Sequence, residues 1–456
     1  MSRPNHPECG REAALQALHR VERDGAYLNL ALPPLLKALP PPERALAREL
    51  ATGTIRRLNT LDWSVGLFLK HPLAKLTPWI RNLLRMGAYQ LLYLERIPPH
   101  AAVDEAVRLA RRYGHRGVAG LVNAVLRRLA KTPGKLPRPL PQGEPLEHLA
   151  LSTSHPRWLV ERWSRRFGPA EALLLGEANN LPPPLALRPN GLRCPSPAFL
   201  IERLLAEGVP AELSPRLPGA VLAKPGGPLS ELASYREGLF TVQGESSLLV
   251  APLLQPQPGE HIVDLCSAPG GKSTHLAELM GDRGRVTAVD RHPHRLALVE
   301  RAAKRLGLTA VKTIAADGTR FDGSGLPPPH RILVDAPCSG LGVIRRLPEL
   351  KWRRRPEDLQ RLARLQLSLL ERAATLLRPG GRLLYSVCTT EPEETTAVAD
   401  TFEAAHPSLV PEPFPTPLLH GLERDPAEPG RLFLHPHRHR LDGFFIALWR
   451  KGDLLC

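Results

Sequence analysis

The sequence predicts a chain of several domains, with an all-helical bundle first, a small mixed α+β segment next and an α/β domain last. At 456 residues the chain is too long for one ordinary hydrophobic core. A Pro-rich stretch interrupts it at residues 132–146. From about residue 241 the apolar pattern changes from helical spacing to alternating strands and helices. These observations place the domains at residues 1–131, 147–240 and 241–456.

The first domain is predicted to be a bundle because its apolar residues recur every three or four positions. Glycine and proline separate the runs, as at Ile97-Pro98-Pro99. The runs are Ala14, Leu18 and Val21; Leu84, Ala88, Leu91 and Leu92; and Val118, Leu121, Val122, Val125 and Leu129. The Pro-rich stretch that follows, TPGKLPRPLPQGEPL, has the composition of a linker.

Between residues 147 and 240, helical stretches alternate with short β-like pieces, which indicates an α+β segment. Trp158, Trp163 and Phe167 lie there among several arginines. Interleaved aromatic and basic residues can bind RNA through base stacking and phosphate contact. An amphipathic helix with aromatics inside and arginines outside explains the same pattern and is the preferred interpretation.

The last domain has the pattern of a βαβ series. Strand-like runs occur at residues 261–265, 285–289, 311–314, 332–334, 383–387 and 444–449, and helical patterns separate most of them, notably at 357–377. We therefore expect a parallel sheet with helices on both faces. In open sheets of this kind, ligands bind beyond the carboxyl ends of the strands.

The charge of the chain points to a polyanionic partner. Basic residues outnumber acidic ones by 61 to 45, a net charge of +16, and the isoelectric point is about 10.0. Nucleic acid is the natural interpretation, because each neutralised phosphate releases a counterion. An Arg-rich surface from a compositionally biased genome is the alternative, which the 50 prolines favour.

We expect a cytoplasmic protein with no membrane partner. No apolar run reaches the roughly 18–20 residues of a membrane span, and the N-terminus lacks the apolar region of a signal peptide. The six cysteines show no CxxC pair, so free thiols and no bound metal are expected. His435, His437 and His439 alternate, but no thiol or carboxylate accompanies them at ligand spacing, and a solvated loop is the preferred interpretation.

The run at 261–265 continues into the loop CSAPGGKST, where Gly270 and Gly271 let a ligand approach the backbone. A Walker loop requires glycine where Cys266 stands, and a dinucleotide turn requires G-x-G-x-x-G, so both motifs fail. The remaining candidate is the nucleoside of S-adenosylmethionine. Asp290 closes the second strand, where a carboxylate can accept the ribose hydroxyls, and Asp317 follows the third, where it can meet the adenine.

Two cysteines lie just beyond the next two strands, Cys338 in RILVDAPCSGLGV and Cys388 in RLLYSVCTTEPEE. If these strands are neighbours, both thiols and Asp335 face one pocket. A lone cysteine after a strand is usually buried and inert. Two cysteines that flank one predicted pocket, one of them on a tight loop shaped by glycine and proline, point to chemistry instead.

Paired thiols suit methylation of cytosine at carbon 5, which is a poor nucleophile. A thiolate that adds to carbon 6 makes carbon 5 enamine-like, so that it can attack a methyl group. A carboxyl group near ring nitrogen 3, for which Asp335 is placed, can stabilise the charge that arises there. A base must then remove the proton from carbon 5 so that the enzyme thiol can leave. The residues alone do not decide which thiol attacks.

The motifs CSAPGGKST, DAPCSGLGVIRR and YSVCT together resemble those of the RNA 5-methylcytosine methyltransferases of the Fmu/Sun/NOL1/NOP2 family, over roughly residues 150–450. The segments TGTIRRLNTLDW, RMGAYQLLYLERIPPHAAVDEAV and GLVNAVLRRL resemble the NusB-like helical RNA-binding domain. The resemblance implies a Rossmann-like class I methyltransferase domain, S-adenosylmethionine as cofactor and a cytosine of 16S ribosomal RNA as substrate. We expect a monomer and no DNA partner.

In this family the cysteine after the fifth strand, here Cys388, is the nucleophile, and the Pro-Cys cysteine, here Cys338, helps to release the product. DNA cytosine methyltransferases use the Pro-Cys thiol instead. The chain departs from the family at Val387, where threonine is common, and at Gly244, where aspartate is usual. The cofactor contacts carried over are Cys266, Ser267, Ala268, Pro269, Gly270, Gly271 and Lys272, with Asp290, Asp317 and Asp335.

Two other functions stay open from the sequence. An RNA-binding assembly factor with a vestigial fold would have lost catalytic residues, yet both thiols, Asp335 and the glycine loop are present. A DNA methyltransferase would carry a target-recognition insertion and no NusB-like domain. The tetrapeptide Leu187-Arg188-Pro189-Asn190 resembles an RNA-domain motif of the family. A basic run beside the Pro-Cys loop is either exposed charge or a phosphate contact; it comprises Arg345, Arg346, Arg353, Arg354 and Arg355.

Overall fold

The computed structural model describes residues 7–132, 144–415, 422 and 428–452. The chain forms two compact units, one of Met1–Leu181 with Ile344–Arg353 and the other of Pro182–Val343 with Arg354–Cys456. This division differs from the boundaries expected from the sequence. The helices between residues 145 and 181 pack with the bundle, and so does a short piece of the last domain. Most of the predicted linker, 133–143, lies outside the described residues.

The first unit contains helices and no strand among its described residues, as the apolar spacing predicts. Predicted core positions such as Leu84, Ala88, Val122 and Leu129 are buried. None of the helices in the described ranges combines the length and apolar character needed to cross a membrane. Its helices are α1 (Gly10–Arg23), α2 (Leu28–Ala31), α3 (Pro33–Leu36), α4 (Pro41–Arg56), α5 (Leu58–Gly66), α6 (Pro78–Tyr93), α7 (Pro99–Tyr113), α8 (Arg116–Ala130), α9 (Pro145–Thr153), α10 (Arg157–Phe167), α11 (Pro169–Asn179) and α17 (Leu350–Arg353).

Helix α10 carries the aromatic and basic residues that left two interpretations open. Trp163 is buried and packs edge-on against the ring of His155, whereas Arg165 and Arg166 are exposed. Trp158 and Phe167 are half-buried. The amphipathic interpretation is therefore confirmed for Trp163, which belongs to the core and is not available for base stacking.

The segment Ile344–Arg353 contributes buried polar contacts to this helical unit. Lys351 is 1% exposed and donates from Nζ to the carbonyl oxygen of Arg56 at 2.9 Å. Trp352 donates from Nε1 to the carbonyl oxygen of Ile55 at 2.8 Å. Burial, together with the neighbouring guanidinium groups, holds the pKa of Lys351 well below its ordinary value. The segment is thus an integral part of the helical core.

The second unit begins with a small antiparallel sheet. Its strand order is β2-β3-β1-β4, and every pairing in it is antiparallel. The hydrophobic core beside this sheet combines residues of the strands with residues of the helix Pro197–Ala206. Its members include Leu187, Val221 and Phe240 from the strands and Leu200 and Leu204 from the helix. The elements are β1 (Leu185–Pro189), α12 (Pro197–Ala206), β2 (Ala211–Leu213), β3 (Val221–Ala223), α13 (Ala233–Arg236) and β4 (Phe240–Val242).

An eight-stranded sheet follows, in the order β10-β12-β9-β8-β5-β6-β7, with β11 paired to β12. The five strands from β9 to β7 are parallel, as predicted. The elements are α14 (Glu245–Leu253), β5 (His261–Asp264), α15 (Gly271–Leu279), β6 (Arg285–Asp290), α16 (Pro293–Leu306), β7 (Val311–Ala315), β8 (Arg331–Asp335), α18 (Pro356–Leu376), β9 (Arg382–Val387), α19 (Thr396–Ala405), β10 (Leu409–Pro411), β11 (Arg431–Leu434), α20 (Pro436–His439) and β12 (Phe444–Lys451).

The prediction that every strand is parallel is wrong for β12, which runs antiparallel to β9. It follows β11, with which it also pairs antiparallel. Only the four-residue helix α20 lies between the two strands, and that connection is shorter than the crossover that parallel strands need. An apolar run carries no information about the direction of the strand. The Rossmann-like class of the domain is unaffected, because its five parallel strands keep their carboxyl ends at one edge.

Alternate residues of the central strands pack on opposite faces of the sheet. Ile262 and Leu333 belong to the core on one face, and Val263 and Val334 to the core on the other. Both faces are covered by helices, which is why these strands are apolar along their whole length. This two-sided burial fixes the register, since a slip by one residue would exchange the two cores.

Arg188 of β1 joins the small sheet to the α/β domain. It is 4% exposed and places Nη2 at 2.7 Å from Oε1 of Glu278, in α15. Its Nη1 donates to the carbonyl oxygen of Gly271 at 2.7 Å. Asn190 is also buried and donates from Nδ2 to the carbonyl oxygens of Gly238 and Leu306. Both polar residues of the Leu187-Arg188-Pro189-Asn190 motif therefore serve packing within this unit.

Arg188→Ala should lower the free energy of unfolding by about 3–5 kcal/mol, because it leaves the carboxylate of Glu278 buried without its partner. Arg203→Ala is the matched control, since its ion pair with Glu237 is exposed and should contribute less than about 1 kcal/mol. Urea unfolding of both variants measures the difference. Equal losses in the two variants would contradict the structural role of Arg188.

Candidate active site

The loop between β5 and α15 is shaped by Gly270. Its φ of +104° is unfavourable for any residue with a side chain. A Cβ atom there would also lie 3.0 Å from the Cα of Val299, in α16. Gly271 begins α15, and a Cβ at that position would meet nothing closer than 3.8 Å. Of the two glycines, Gly270 is therefore the one that the turn requires, both for its backbone conformation and for close packing against α16.

Asp264 anchors this loop from beneath. Its carboxyl group is 1% exposed, and Oδ2 accepts a hydrogen bond from Oγ of Ser273 at 2.6 Å. Among the described residues, no hydrogen-bond partner reaches Oδ1. Burial raises the pKa of Asp264 to about 7, although the Ser273 hydroxyl acts in the opposite direction. The carboxyl group is therefore partly protonated near neutral pH.

The acidic residues predicted at the strand ends lie where expected. Asp290 ends β6, and its Oδ1 accepts from the backbone N–H of His292 while Oδ2 lies 3.5 Å from Nη1 of Arg295. Arg295 also donates to the carbonyl oxygen of Ala268 at 2.8 Å, which ties the loop to this strand end. Asp317 is exposed after β7, and the hydroxyl and amide of Thr319 lower the pKa of its carboxyl group.

These residues line a cavity of about 450 Å³ at the carboxyl ends of the parallel strands. The cavity brings together seven of the site residues predicted from the sequence: Cys266, Ala268, Asp290, Asp317, Asp335, Cys338 and Cys388. Ser267, Pro269, Gly270, Gly271 and Lys272 lie in the adjoining turn and are not among its lining residues. The turn therefore supports the cavity, whereas the strand ends form its wall.

Cys338 and Cys388 face each other with their Sγ atoms 3.3 Å apart. They follow β8 and β9, which are parallel neighbours. The sequence placed both thiols at one pocket on the condition that these two strands are adjacent, and they are. The backbone N–H of Gly342 donates to the carbonyl oxygen of Cys388 at 3.0 Å. A Cβ on Gly342 would lie 2.0 Å from the carbonyl oxygen of Gly443. The loop after Cys338 is thus packed backbone to backbone beside Cys388.

The surroundings of Cys338 and Cys266, which are both half-buried in the cavity wall, raise the pKa of each thiol. The hydrogen bond with Cys388, together with burial, raises the pKa of Cys338 well above its ordinary value. Burial and the carboxylates nearby, with Asp264 first among them, do the same for Cys266. Both groups are therefore neutral thiols at physiological pH.

Asp335 is held in its position by two side chains. Nζ of Lys272 lies 2.6 Å from Oδ2, and Oγ of Ser386 donates to Oδ1 at 2.7 Å. Burial alone would lower the pKa of Lys272, but the Asp335 carboxylate reverses the effect and the pKa is raised. Lys272 is therefore a firmly charged partner of Asp335. The sequence offered no signal for this pairing, because the residues are far apart along the chain.

Helix α18 supplies a wall of the cavity that the motifs did not include. Leu362, Leu365 and Leu369 line the cavity together with Arg361. Their spacing of three and four residues places the leucines on one helical face, which could have been noticed in the predicted helix at 357–377. Arg291, His292 and Arg295 also line it and follow directly after Asp290.

Three residues of the basic run beside the Pro-Cys loop bind main-chain carbonyl groups. Arg354 donates from Nε to the carbonyl oxygen of Ser339 at 2.7 Å, Arg345 to that of Leu181 at 3.2 Å, and Arg353 to that of Ala26. Arg346 is half-buried and Arg355 is exposed. The interpretation as exposed charge is therefore wrong for Arg345, which is buried, whereas phosphate contact by the run stays a prediction.

The three alternating histidines lie in and before a short helix. The expectation of a solvated loop at the histidines is wrong, because α20 covers Pro436–His439 and His435 is buried before it. Nδ1 of His439 accepts from the backbone N–H of His435 at 2.8 Å.

Gly244 stands at the start of α14, and Val387 is fully buried at the end of β9. These last two departures from the family pattern are thus accommodated by ordinary local structure.

Comparison with known proteins gives family matches along most of the chain. Residues 251–450 match the family described as 16S rRNA methyltransferase RsmB/F. Residues 10–131 match the NusB family, and residues 155–228 match the ferredoxin-like domain of RsmF/B-like methyltransferases. The helical, α+β and methyltransferase domain types predicted from the sequence are confirmed by these matches.

Individual relatives are similar over nearly the full length. The chain is 40% identical over 448 residues to the probable ribosomal RNA small subunit methyltransferase B of Bacillus subtilis (strain 168), covering 97% of this chain and 98% of that one. The crystal structure of PH0851 has a TM-score of 0.82 at 28% identity, covering 99% of this chain and 100% of that one. NSun6 from Pyrococcus horikoshii, solved with SFG, has a TM-score of 0.59 at 26% identity, covering 65% and 98%.

Asp264→Asn should change how the stability of the protein depends on pH. Because the pKa is raised to about 7 in the folded state, Asp264 contributes stability in full only below its unfolded pKa near 3.8. That contribution, at most about 4 kcal/mol, is lost as pH rises through 7. The melting temperature of Asp264→Asn relative to the parent protein should therefore increase from pH 5 to pH 8.

The control is Asp322→Asn, which removes an exposed carboxylate whose pKa is lowered by Ser324. That group is charged in both folded and unfolded chains above pH 5. The difference in melting temperature between Asp322→Asn and the parent protein should therefore stay constant between pH 5 and 8. If the melting temperatures of the parent protein and Asp264→Asn change with pH in the same way, Asp264 is not a buried acid with a raised pKa.

Proposed function

The chain belongs to the family of 16S rRNA methyltransferases RsmB/F, and from this membership we propose that it methylates carbon 5 of a cytosine in 16S ribosomal RNA, with Cys388 as covalent nucleophile and S-adenosylmethionine as methyl donor. The observation that carries the proposal is the juxtaposition of two thiols, 3.3 Å apart, in one cavity with Asp335, Asp290 and Asp317. An assembly factor would have no use for this arrangement.

The cavity has the groups that the cofactor needs. Asp290, buried at the end of β6, offers a carboxylate for ribose hydroxyls, and Asp317 lies after the next strand beside it. The leucine face of α18 supplies apolar surface for the adenine and the thioether chain. S-adenosylmethionine supplies an electrophilic methyl group. NSun6, with which the chain shares its fold, was solved with SFG, an analogue of that cofactor.

Covalent catalysis assigns different tasks to the two cysteines. The Cys388 thiolate would form a bond to carbon 6 of cytosine, and carbon 5 would then bond to the methyl group as the bond between that group and the donor's sulfonium sulfur breaks, with the neutral thioether as leaving group. Removal of the carbon 5 proton restores the ring double bond and breaks the bond to sulfur. Cys338, held 3.3 Å from Cys388 and kept as a neutral thiol, assists this release. The choice of Cys388 as nucleophile follows the family resemblance.

Asp335 acts on the base, and Lys272 acts on Asp335. Addition of sulfur to carbon 6 builds negative charge on the ring, which a proton delivered to nitrogen 3 neutralises. Asp335, which accepts a hydrogen bond from the Lys272 ammonium group, would relay that proton. Asp335 faces the cavity and is fixed by Lys272 and Ser386, so little reorganisation is needed during the reaction. Lys272 thereby holds Asp335 in the position from which it contacts the ring.

The substrate is a polyanion whose recognition draws on the rest of the chain. The net charge of +16 favours association with RNA phosphates, which supplies affinity without sequence specificity. The chain also contains a NusB-family region, which suits an RNA-binding role. We place the enzyme in the cytoplasm as a monomer that acts on ribosomal RNA, without a DNA or membrane partner.

The direct test is transfer of labelled methyl from S-adenosylmethionine to deproteinised ribosomal RNA, followed by nucleoside analysis. The expected product is 5-methylcytidine in RNA of the small subunit. Bound cofactor is measured separately by calorimetry, so that loss of transfer can be distinguished from loss of binding. Label on a different nucleoside would overturn the reaction proposed here.

Changing each thiol separately tests the division of labour between them. Cys388→Ala should abolish transfer and retain cofactor binding, because the thiol attacks the base and is not needed for the nucleoside pocket. Cys338→Ala should instead accumulate a covalent complex with RNA, visible as a shifted band on a denaturing gel. Full turnover by Cys388→Ala, or no shifted band for Cys338→Ala beside an active parent enzyme, would refute the assignment.

A further inference from the structure

The proposed reaction requires Cys338 to stay close to Cys388, although Cys338 lies on a loop. The loop follows β8 and has no regular structure at residues 336–340. Misplacement of a reacting group by about 1 Å can cost on the order of 100-fold in rate. The loop therefore needs contacts that fix its main chain on both sides of Cys338.

Two buried polar side chains provide those contacts. On one side, Gln366 of α18 donates from Nε2 to the carbonyl oxygen of Pro337 at 3.0 Å. On the other, the backbone N–H of Ser339 donates to Oε1 of Glu394 at 2.8 Å. Gln366 also donates from Nε2 to Oε1 of Glu394 at 3.0 Å, which links the two contacts. Cys338 is thus enclosed by a continuous bridge from Pro337 to Ser339.

The bridge is itself held from behind by Tyr385 of β9. The hydroxyl oxygen of Tyr385 lies 3.0 Å from Oε1 of Gln366 and 2.7 Å from the carbonyl oxygen of Glu394. This places the amide oxygen of Gln366 towards Tyr385 and its NH₂ group towards the loop. Tyr385, Gln366 and Glu394 are all fully buried, so water does not compete for these hydrogen bonds.

Glu394 is an unusual residue for such a position. It lies in the 3₁₀ turn Pro392–Glu394 after β9, and a carboxyl group that only packs is rarely buried completely. Its Oε2 has no hydrogen-bond partner among the described residues, and burial raises its pKa above the ordinary value. The acceptor function at Oε1 is therefore what the structure uses, and a neutral side chain could provide it equally well.

We propose that Glu394 is a positioning residue for the proposed reaction, which holds Cys338 through the main chain of its loop and acts together with Gln366. The inference rests on the proposed function, since it assigns Cys338 to product release. Among the described residues, Glu394 forms no hydrogen bond with either thiol. It acts on the sulfur of Cys338 only through Ser339 and, by way of Gln366, through Pro337.

Replacement of Glu394 by alanine should reproduce the defect of Cys338→Ala. The N–H of Ser339 would lose its acceptor and Gln366 would lose one of its two, so the loop would shift. We expect kcat to fall on the order of 10- to 100-fold with an unchanged KM for S-adenosylmethionine, and the covalent RNA complex to accumulate. Glu394→Gln keeps an acceptor oxygen for both donors and should restore turnover to within about 3-fold of the parent enzyme.

Three controls separate this role from general damage to the fold. Glu393→Ala alters the half-buried neighbouring carboxylate and should leave both turnover and the adduct level unchanged. Gln366→Ala removes the other half of the bridge and should accumulate the adduct as Glu394→Ala does. The double variant Cys338→Ala with Glu394→Ala should accumulate no more adduct than Cys338→Ala alone, because both changes act on one step.

The outcomes distinguish this inference from the function on which it rests. If the parent enzyme forms 5-methylcytidine and Cys338→Ala traps RNA, but Glu394→Ala loses activity without any adduct, Glu394 is merely structural and the inference fails. It fails equally if Glu394→Gln is as impaired as Glu394→Ala, since the charge would then be what matters. Absence of 5-methylcytidine from the parent reaction would overturn the proposed function itself.

Discussion

The parallel pairing of β8 with β9 is the constraint on which the site depends. Their register places Val334 opposite Tyr385 and Asp335 opposite Ser386. Neighbouring strands lie only about 4.8 Å apart, so the segments that leave them at the same edge must run side by side. Two thiols a few residues beyond that edge can therefore meet without a long or flexible connection. The same pairing supplies Ser386 to Asp335 and Tyr385 to the bridge behind Cys338.

Charges within the second unit are buried in two distinct ways. Arg188 with Glu278, and Lys272 with Asp335, are ion pairs with N–O distances of 2.7 Å and 2.6 Å. Asp264 and Glu394 each have a carboxyl oxygen without a partner among the described residues, and burial raises the pKa of both. The ion pairs therefore fix geometry through charge-assisted hydrogen bonds, whereas Asp264 and Glu394 add hydrogen-bond acceptors and become unfavourable when they ionise.

Much of the α/β domain could be predicted because its signals are local. Each predicted strand begins and ends within two residues of an observed one, since apolar runs bounded by turns are short and distinctive. The grouping of Asp290, Asp335, Cys338 and Cys388 followed from one rule, that parallel strands end at a common edge. Applying that rule to the two thiols requires that β8 and β9 be neighbours in the sheet. The sequence alone could only assume that they are.

Contacts between distant residues could not be predicted in this way. Lys272 belongs to a recognisable loop, yet its bond to Asp335 depends on the packing of α15 against the sheet. Gln366 and Glu394 look like surface residues of a helix and a turn, because polar side chains are usually exposed. Their burial is a property of the folded chain, and so is the direction of β12, which only its neighbours determine.

The membership of Ile344–Arg353 in the helical unit has a consequence for how the protein is made. A ribosome releases the N-terminal helices long before it releases this segment, which completes their core with Lys351 and Trp352. The helical unit therefore cannot reach its final packing during synthesis until the strands β5 to β8 have also emerged. Its completion is delayed until the loop that carries Cys338 has been translated.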